Sequence, residues 1–208
     1  MKIHYQLPIA LFFLLLSCGN IDKKVAIIEL VEVYDKGNFE IAKEKIQTFL
    51  ITHADNEYAW TLLGHVNKDL DNDSIAIVNY QKALELNSNL VEALTGLGIM
   101  SRIEGDYQKA SEYYYKAIEI DPNYAQAYAS LVVINLKNKK FDKAVEVGLK
   151  AYKLDKNDPV IVSNLAVAFH YIGDTINREK YLKIAKENGY KRIEILKKLF
   201  DNEMTVLD

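Results

Sequence analysis

The sequence predicts an all-α fold, a solenoid of helical hairpins stacked one after another, and three observations carry that expectation. The chain repeats itself at an offset of 34 residues: Tyr58-Ala59-Trp60-Thr61-Leu62-Leu63-Gly64 is echoed by Glu92-Ala93-Leu94-Thr95-Gly96-Leu97-Gly98 and by Gln126-Ala127-Tyr128-Ala129-Ser130-Leu131-Val132. The same offset relates Tyr80-Gln81-Lys82-Ala83-Leu84-Glu85-Leu86 to Tyr114-Tyr115-Lys116-Ala117-Ile118-Glu119-Ile120 and, more loosely, to Gly148-Leu149-Lys150-Ala151-Tyr152-Lys153-Leu154. Glycine followed by Asn or Asp recurs at Gly37-Asn38, Gly105-Asp106 and Gly173-Asp174, where one helix ends in a left-handed residue and the next starts with a capping side chain. Repeats of this length are supersecondary units that bury their apolar faces only by stacking.

Composition narrows the classes further. The 208 residues include 26 Lys+Arg, 29 Asp+Glu, one Cys and three Pro, and half are hydrophobic. A disordered chain, a collagen-like chain and a disulfide-stapled mini-domain all fail that arithmetic. With a formal net charge of −3 the chain lacks the excess of Lys and Arg that neutralises phosphates, so no nucleic acid partner is expected.

Taken in order, residues 1–17 read as a cleaved export signal. A basic start, Met1-Lys2, leads into an apolar run from Leu7 to Leu16, about ten residues where a bilayer-spanning helix needs roughly 20. The chain's one cysteine follows in Leu15-Leu16-Ser17-Cys18-Gly19, which resembles the lipobox of bacterial lipoproteins. The resemblance implies that Cys18 is lipidated on its sulfur and becomes the first residue of the mature chain, anchoring it durably through several acyl chains. A mature chain of that kind keeps no free thiol for a disulfide or a nucleophile. Residues 18–22 then form a short tether.

Residues 23–192 divide without insertions into five units, 23–56, 57–90, 91–124, 125–158 and 159–192. Unit 91–124 carries Leu97-Gly98, Gly105-Asp106-Tyr107, Ala110, Tyr114, Ala117 and Pro122, and with its neighbours it resembles the tetratricopeptide repeat. The resemblance implies a right-handed α-solenoid of about five hairpins. Ala76, Ala110 and Ala144, with Ala83, Ala117 and Ala151 one turn on, stand where the paired helices approach closest; Leu94, Tyr128, Tyr80 and Tyr114 fill the remaining volume. The first unit departs at Leu30 and Phe49, the second turns through Asp71-Asn72-Asp73 without glycine, and Arg178 replaces an alanine in the last, as terminal units of solenoids do. Residues 193–208 read as a capping helix and tail, with Ile193, Leu196 and Phe200 on one stripe and Lys197 and Lys198 off it.

Signals of catalysis or metal binding are weak. Asp69, Asp71 and Asp73 imitate the start of a calcium loop, but Ser74 replaces its glycine and Tyr80 its bidentate Glu. His53, His65 and His170 lack zinc-type spacing, and neither a Gly-x-Ser-x-Gly nor a phosphate-cradling loop occurs. No metal, cofactor or catalytic residue is expected. In Tyr113-Tyr114-Tyr115 the middle ring is assigned to the core, and Lys137, Lys139, Lys140, Lys150, Lys153 and Lys156 to solvated helix ends.

Stacked hairpins of this family curve, and their first helices line the concave groove. Carried over residue by residue, the resemblance places Ile27, Val31, Tyr34 and Asp35 there in the first unit, and Tyr58, Thr61, His65, Lys68 and Asp69 in the second. The third contributes Glu92, Thr95, Ile99, Arg102 and Ile103; the fourth Ala129, Val133, Leu136 and Lys137; the fifth Ser163, Val167, His170 and Tyr171. The partner-binding set is drawn from these: Tyr34, Tyr58, His65, Lys68, Glu92, Ile99, Arg102, Val133, Lys137, His170 and Tyr171. An apolar floor with scattered charges suits an extended peptide or a partner helix. The Lys and Asn with which chaperone-binding relatives clamp a peptide carboxylate are replaced by Ile27, Thr61 and Thr95, and by Val31, His65 and Ile99, so that clamp is absent.

The expectation is therefore a non-enzymatic, lipid-anchored scaffold of the bacterial envelope that binds an unknown protein or peptide and meets the membrane through its anchor. An envelope enzyme or glycan-binding protein with a site assembled across repeats is the alternative, and self-association through an end of the array a third reading.

Overall fold

A computed structural model describes residues 21–201, with side chains from residue 26 onwards; the expected export signal, Cys18 and the tail beyond residue 201 lie outside the described residues. Eleven α-helices and no strand occur among the described residues. They are α1 (Ile21–Asp35), α2 (Phe39–Thr52), α3 (Glu57–Asp69), α4 (Asp73–Leu86), α5 (Val91–Ile103), α6 (Tyr107–Ile120), α7 (Ala125–Lys137), α8 (Phe141–Leu154), α9 (Pro159–Tyr171), α10 (Thr175–Glu187) and α11 (Ile193–Phe200). None of the described helices is long and apolar enough to cross a membrane. The chain forms two compact units, one up to Met100 and one from Ser101 onwards; within each, short turns join antiparallel helices and each hairpin packs on the next.

The turns show why a 34-residue sequence period becomes a structural one. Left-handed backbone occurs at Gly37, Asp71, Gly105, Lys139 and Gly173, with φ of 77°, 60°, 85°, 56° and 76°. Each closes the first helix of a hairpin. In the last four the residue after it donates its N–H to a carbonyl five residues back, as Asn72 does to Asn67 and Lys140 to Asn135, while the left-handed residue donates to the carbonyl three back. This pair of bonds satisfies carbonyls that a helix end otherwise leaves open. The glycine-free turn at Asp71-Asn72-Asp73 thus adopts the same geometry as the others, and Lys139 does so without any turn signal in the sequence. Helix starts are capped where Asp106 accepts from the Lys109 N–H, Asp174 from that of Asn177 and Asn56 from that of Ala59; Asn38 makes no such bond.

The alanines mark the closest approaches. Ala76, Ala83, Ala110, Ala117, Ala144 and Ala151 are all fully buried, as are Tyr80 and Tyr114. In the first unit the Tyr80 ring is wedged between two helices: a Cβ on Gly64 of α3 would lie 2.5 Å from it, and one on Gly96 of α5 2.6 Å. Two repeat lengths on, the bulk is exchanged: Val132 stands at the place of Gly64 and Gly148 at that of Tyr80, and a Cβ on Gly148 would meet Leu165 Cδ1 at 3.0 Å and Val132 Cγ2 at 3.4 Å. Total volume is kept while its source moves from one helix to the other, the exchange that a packed interior tolerates best.

Both sequence departures at the array's ends have partners. Leu30 is buried with Leu50 and Leu62 in the core of the first unit, and the Phe49 ring stacks on His53 at 4.3 Å. Arg178 lies over the Phe200 ring at 5.2 Å, with His170 on the same ring at 4.9 Å. The last helix therefore buries Phe200, Leu196 and also Leu199, while Lys197 and Lys198 are exposed.

Candidate functional site

In the first unit, three of the partner-binding residues expected from the sequence converge in one polar cluster. The Tyr34 hydroxyl, from the end of α1, donates to Asp69 Oδ2 across 2.7 Å. Lys68 Nζ lies 3.1 Å from the other oxygen of Asp69, both side chains being almost wholly enclosed. His65, one turn earlier on α3, has its Nδ1 2.9 Å from the Tyr80 hydroxyl of α4, and its ring stands 6.5 Å from that of Tyr34. The three-residue spacing of His65 and Lys68 places both on one helix face, and the short turns bring the ends of α1 and α3 together.

Electrostatics follow from enclosure. Burial, with Lys68 adding to it, pushes the His65 imidazole down to about 3, so the ring is neutral at ordinary pH. Burial and the neighbouring Asp69 raise the Tyr34 hydroxyl far above its usual range, which keeps it a hydrogen-bond donor. Burial also raises the Asp35 carboxyl. Part of His65 reaches solvent, yet its Nε2 is enclosed and makes no hydrogen bond among the described residues; Asp35 Oδ1 is in the same condition. Enclosed polar atoms left in that state cost free energy that an incoming donor or acceptor recovers.

The remaining candidates of this unit fall into two groups. Ile27, Val31, Thr61, Glu92 and Thr95 are buried, with Thr61 and Thr95 bonded back to the carbonyls of Glu57 and Val91, so they form the floor rather than an accessible surface. Tyr58 and Ile99 are half-buried and present part of their surface. Burial together with Glu57 and Glu92 raises the Tyr58 hydroxyl.

In the second unit Arg102, Val133, Lys137, His170 and Tyr171 are half-buried, Ile103 is exposed, and Ala129, Leu136, Ser163 and Val167 are buried. Tyr171 stacks flat on Phe141 at 4.9 Å, and His170 stands edge-on to Tyr171 at 5.3 Å. Burial and the neighbouring Arg178 lower the His170 pKa. His170 and Tyr171 are thus brought together, joined by Phe141, Arg178 and Phe200.

Several features escaped sequence reasoning. Asn67, Ser101 and Asn135 are buried at 34-residue spacing, the amides of Asn67 and Asn135 bonding back to Leu63 and Leu131 while their backbone carbonyls accept the turn bond; the offset itself was the signal. The Tyr34–Asp69 bond links residues 35 apart, one more than the repeat, and no local pattern announces it. Among the described residues, no group of three or more His, Cys, Asp or Glu side chains is placed to hold a metal ion.

Comparison with known proteins agrees with this geometry. Models of the tetratricopeptide repeat match residues 57–90, 91–124 and 113–146. No curated protein matches the chain. Among solved structures, that of pilF of Pseudomonas aeruginosa is similar with a TM-score of 0.70 at 21% identity, over 87% of this chain and 85% of that one. A thermophilic tetratricopeptide protein of Thermus thermophilus gives 0.72 at 17%, over 86% and 97%. YrrB, described as a tetratricopeptide protein with an unusual peptide-binding site, gives 0.55 at 17%, over 84% and 91%. At these identities the likeness is one of fold.

Proposed function

The chain carries tetratricopeptide repeats, an architecture suited to holding protein segments, and from that premise we propose that it is a non-catalytic scaffold of the bacterial envelope, lipid-anchored through Cys18, that binds a peptide or partner helix on its first-helix surface. The observation that carries the binding reading is the pair of enclosed, unpartnered polar atoms, His65 Nε2 and Asp35 Oδ1, in a unit whose first helices also present the half-buried side chains of Tyr58 and Ile99. A neutral imidazole offers one acceptor or one donor according to its tautomer, and a carboxylate oxygen accepts; a peptide backbone supplies both complements. Apolar Ile99 and the Tyr58 ring provide the area that backbone bonds alone lack. YrrB's peptide-binding description agrees with such use of the fold.

The anchored part rests on the Leu16-Ser17-Cys18-Gly19 segment after its short apolar run. Two experiments test the proposal separately. Fractionation of wild type and Cys18→Ser tests the anchor, which predicts membrane association for the first and its loss in the second. Crosslinking pull-downs comparing wild type with a Tyr58→Ala/Arg102→Ala/Tyr171→Ala variant test the surface. An unchanged set of partners in the variant refutes binding on the first helices.

A further inference from the structure

Hairpin geometry fixes which end of the first unit lies next to the point where the chain emerges. Helices α1 and α2 are antiparallel and joined by a three-residue turn, so the start of α1 at Ile21 lies beside the end of α2. By the same alternation the start of α3 and the end of α4 lie at that end too. There Ile51 is 80% exposed and Leu86 40%. Trp60, the chain's one tryptophan, is half-buried there, its Nε1–H donating to the Ala54 carbonyl at 2.9 Å. Ile51 follows Leu50, which is buried in the core; its exposure is a property of this surface and not of a loosened helix.

Cys18 precedes Ile21 by three residues, and three residues of fully extended chain reach at most about 10–11 Å. An anchor at Cys18 therefore holds this end of the unit at the headgroup layer, itself only some 5–8 Å deep on each side of the hydrocarbon. Exposed aliphatic side chains with an amphipathic tryptophan are the residue types that settle at such a boundary. Asp55 and Glu57 occupy the same end, and at the start of α1 Asp22 stands with Lys23 and Lys24; the charges nearly balance, so the apolar side chains rather than attraction to anionic lipid carry the contact.

We propose that the end of the first unit bearing Ile51, Trp60 and Leu86 rests on the lipid surface, with Ile51 inserted at the acyl boundary. The inference rests on the anchored reading given above and deepens it by fixing which surface faces the bilayer. Ile75, 51% exposed at the start of α4, lies toward the opposite end, eleven residues or about 16 Å along the helix from Leu86, and stays in water.

The test uses full-length chain acylated in cells, purified and reconstituted into phosphatidylcholine vesicles containing brominated acyl chains. Acylated Cys18 has no free thiol, so an environment-sensitive dye marks only an introduced cysteine: Ile51→Cys, Leu86→Cys or Ile75→Cys. The expected result is a blue shift and loss of fluorescence at residues 51 and 86, unchanged by added salt, with neither at residue 75. Equal, unquenched emission at residues 51 and 75, in chains whose intact mass includes the acyl groups and which float with the vesicles, overturns the proposal while sparing the anchor. Chains of unmodified mass that fail to float overturn the anchored reading and this inference with it.

Discussion

Adding one methyl group at Gly64 tests the packing of the first unit directly. The new Cβ lies 2.5, 2.6 and 2.9 Å from three atoms of the Tyr80 ring, where carbon atoms otherwise rest about 3.5–4.0 Å apart. The ring has no retreat, because Gly96 meets it from the other side at 2.6 Å. Overpacking costs about 1–3 kcal/mol, and a ring held from both sides takes the upper part of that range, about 2–3 kcal/mol. Against it, alanine is the better helix former by about 0.8–1.0 kcal/mol. Gly64→Ala is therefore expected to destabilise the protein by about 1–2 kcal/mol, a fall in Tm of a few degrees for a chain this size. Tyr80→Ala alone costs about 3–5 kcal/mol, and once the ring is gone the added methyl becomes neutral or stabilising. Urea unfolding of the four members of this double-mutant cycle gives the coupling, expected at about 2 kcal/mol. Gly64→Ala as stable as wild type, or equally costly in both backgrounds, refutes the reasoning.

Other predictions follow from the turns, the buried histidine and the last helix. Gly105 has φ of +85° and open space around its absent Cβ, so Gly105→Ala costs about 1 kcal/mol from backbone strain alone, while Lys139→Gly at φ of 56° is neutral to stabilising by up to about 1 kcal/mol; thermal melts compare the two. Because the folded state holds His65 near 3 against an unfolded value of about 6.5, the unfolded chain takes up the proton first on acidification. The His65 contribution to stability is thus complete above pH 6.5 and falls by about 1.4 kcal/mol per pH unit below it, or about 2 kcal/mol by pH 5; His65→Gln flattens this part of the profile in urea titrations. Phe200→Ala removes the ring against His170 and Arg178, and with it the enclosure of the imidazole, so the His170 pKa rises toward its ordinary value, as NMR titration of that ring reads out.

Much of the fold was legible because repeat packing imposes the same demand at the same offset. Alanine at the tightest approach, tyrosine in the space beside it and a left-handed residue at each turn are local requirements, and local requirements leave a mark in sequence. Where two residues meet a demand jointly, the mark fades. Glycine on one helix and tyrosine on the other, or valine and glycine in the reverse order, satisfy the same volume, so Gly148 breaks the pattern of Tyr80 and Tyr114 without breaking the packing. Turn conformation was similarly hidden at Lys139, where two backbone hydrogen bonds set φ against the residue's own preference. The candidate site was read only in part. The family resemblance selected the first-helix positions, but whether each is floor or surface depends on the neighbouring helix. Tyr34 and Glu92 proved buried, and the link from Tyr34 through Asp69 to Lys68 required knowing which helix ends meet.

The most direct test of the central claim, that first-helix side chains of this array contact the partner, is site-specific photocrosslinking of the full chain in cells. A photoreactive residue is placed at Tyr58 on α3 or Ile99 on α5 and, as the comparison, at Lys82 on α4. The account predicts a discrete adduct from residues 58 and 99 that weakens when His65 is replaced by alanine, with none from residue 82. Adducts from residue 82 alone, or adducts from residues 58 and 99 indifferent to His65, contradict it.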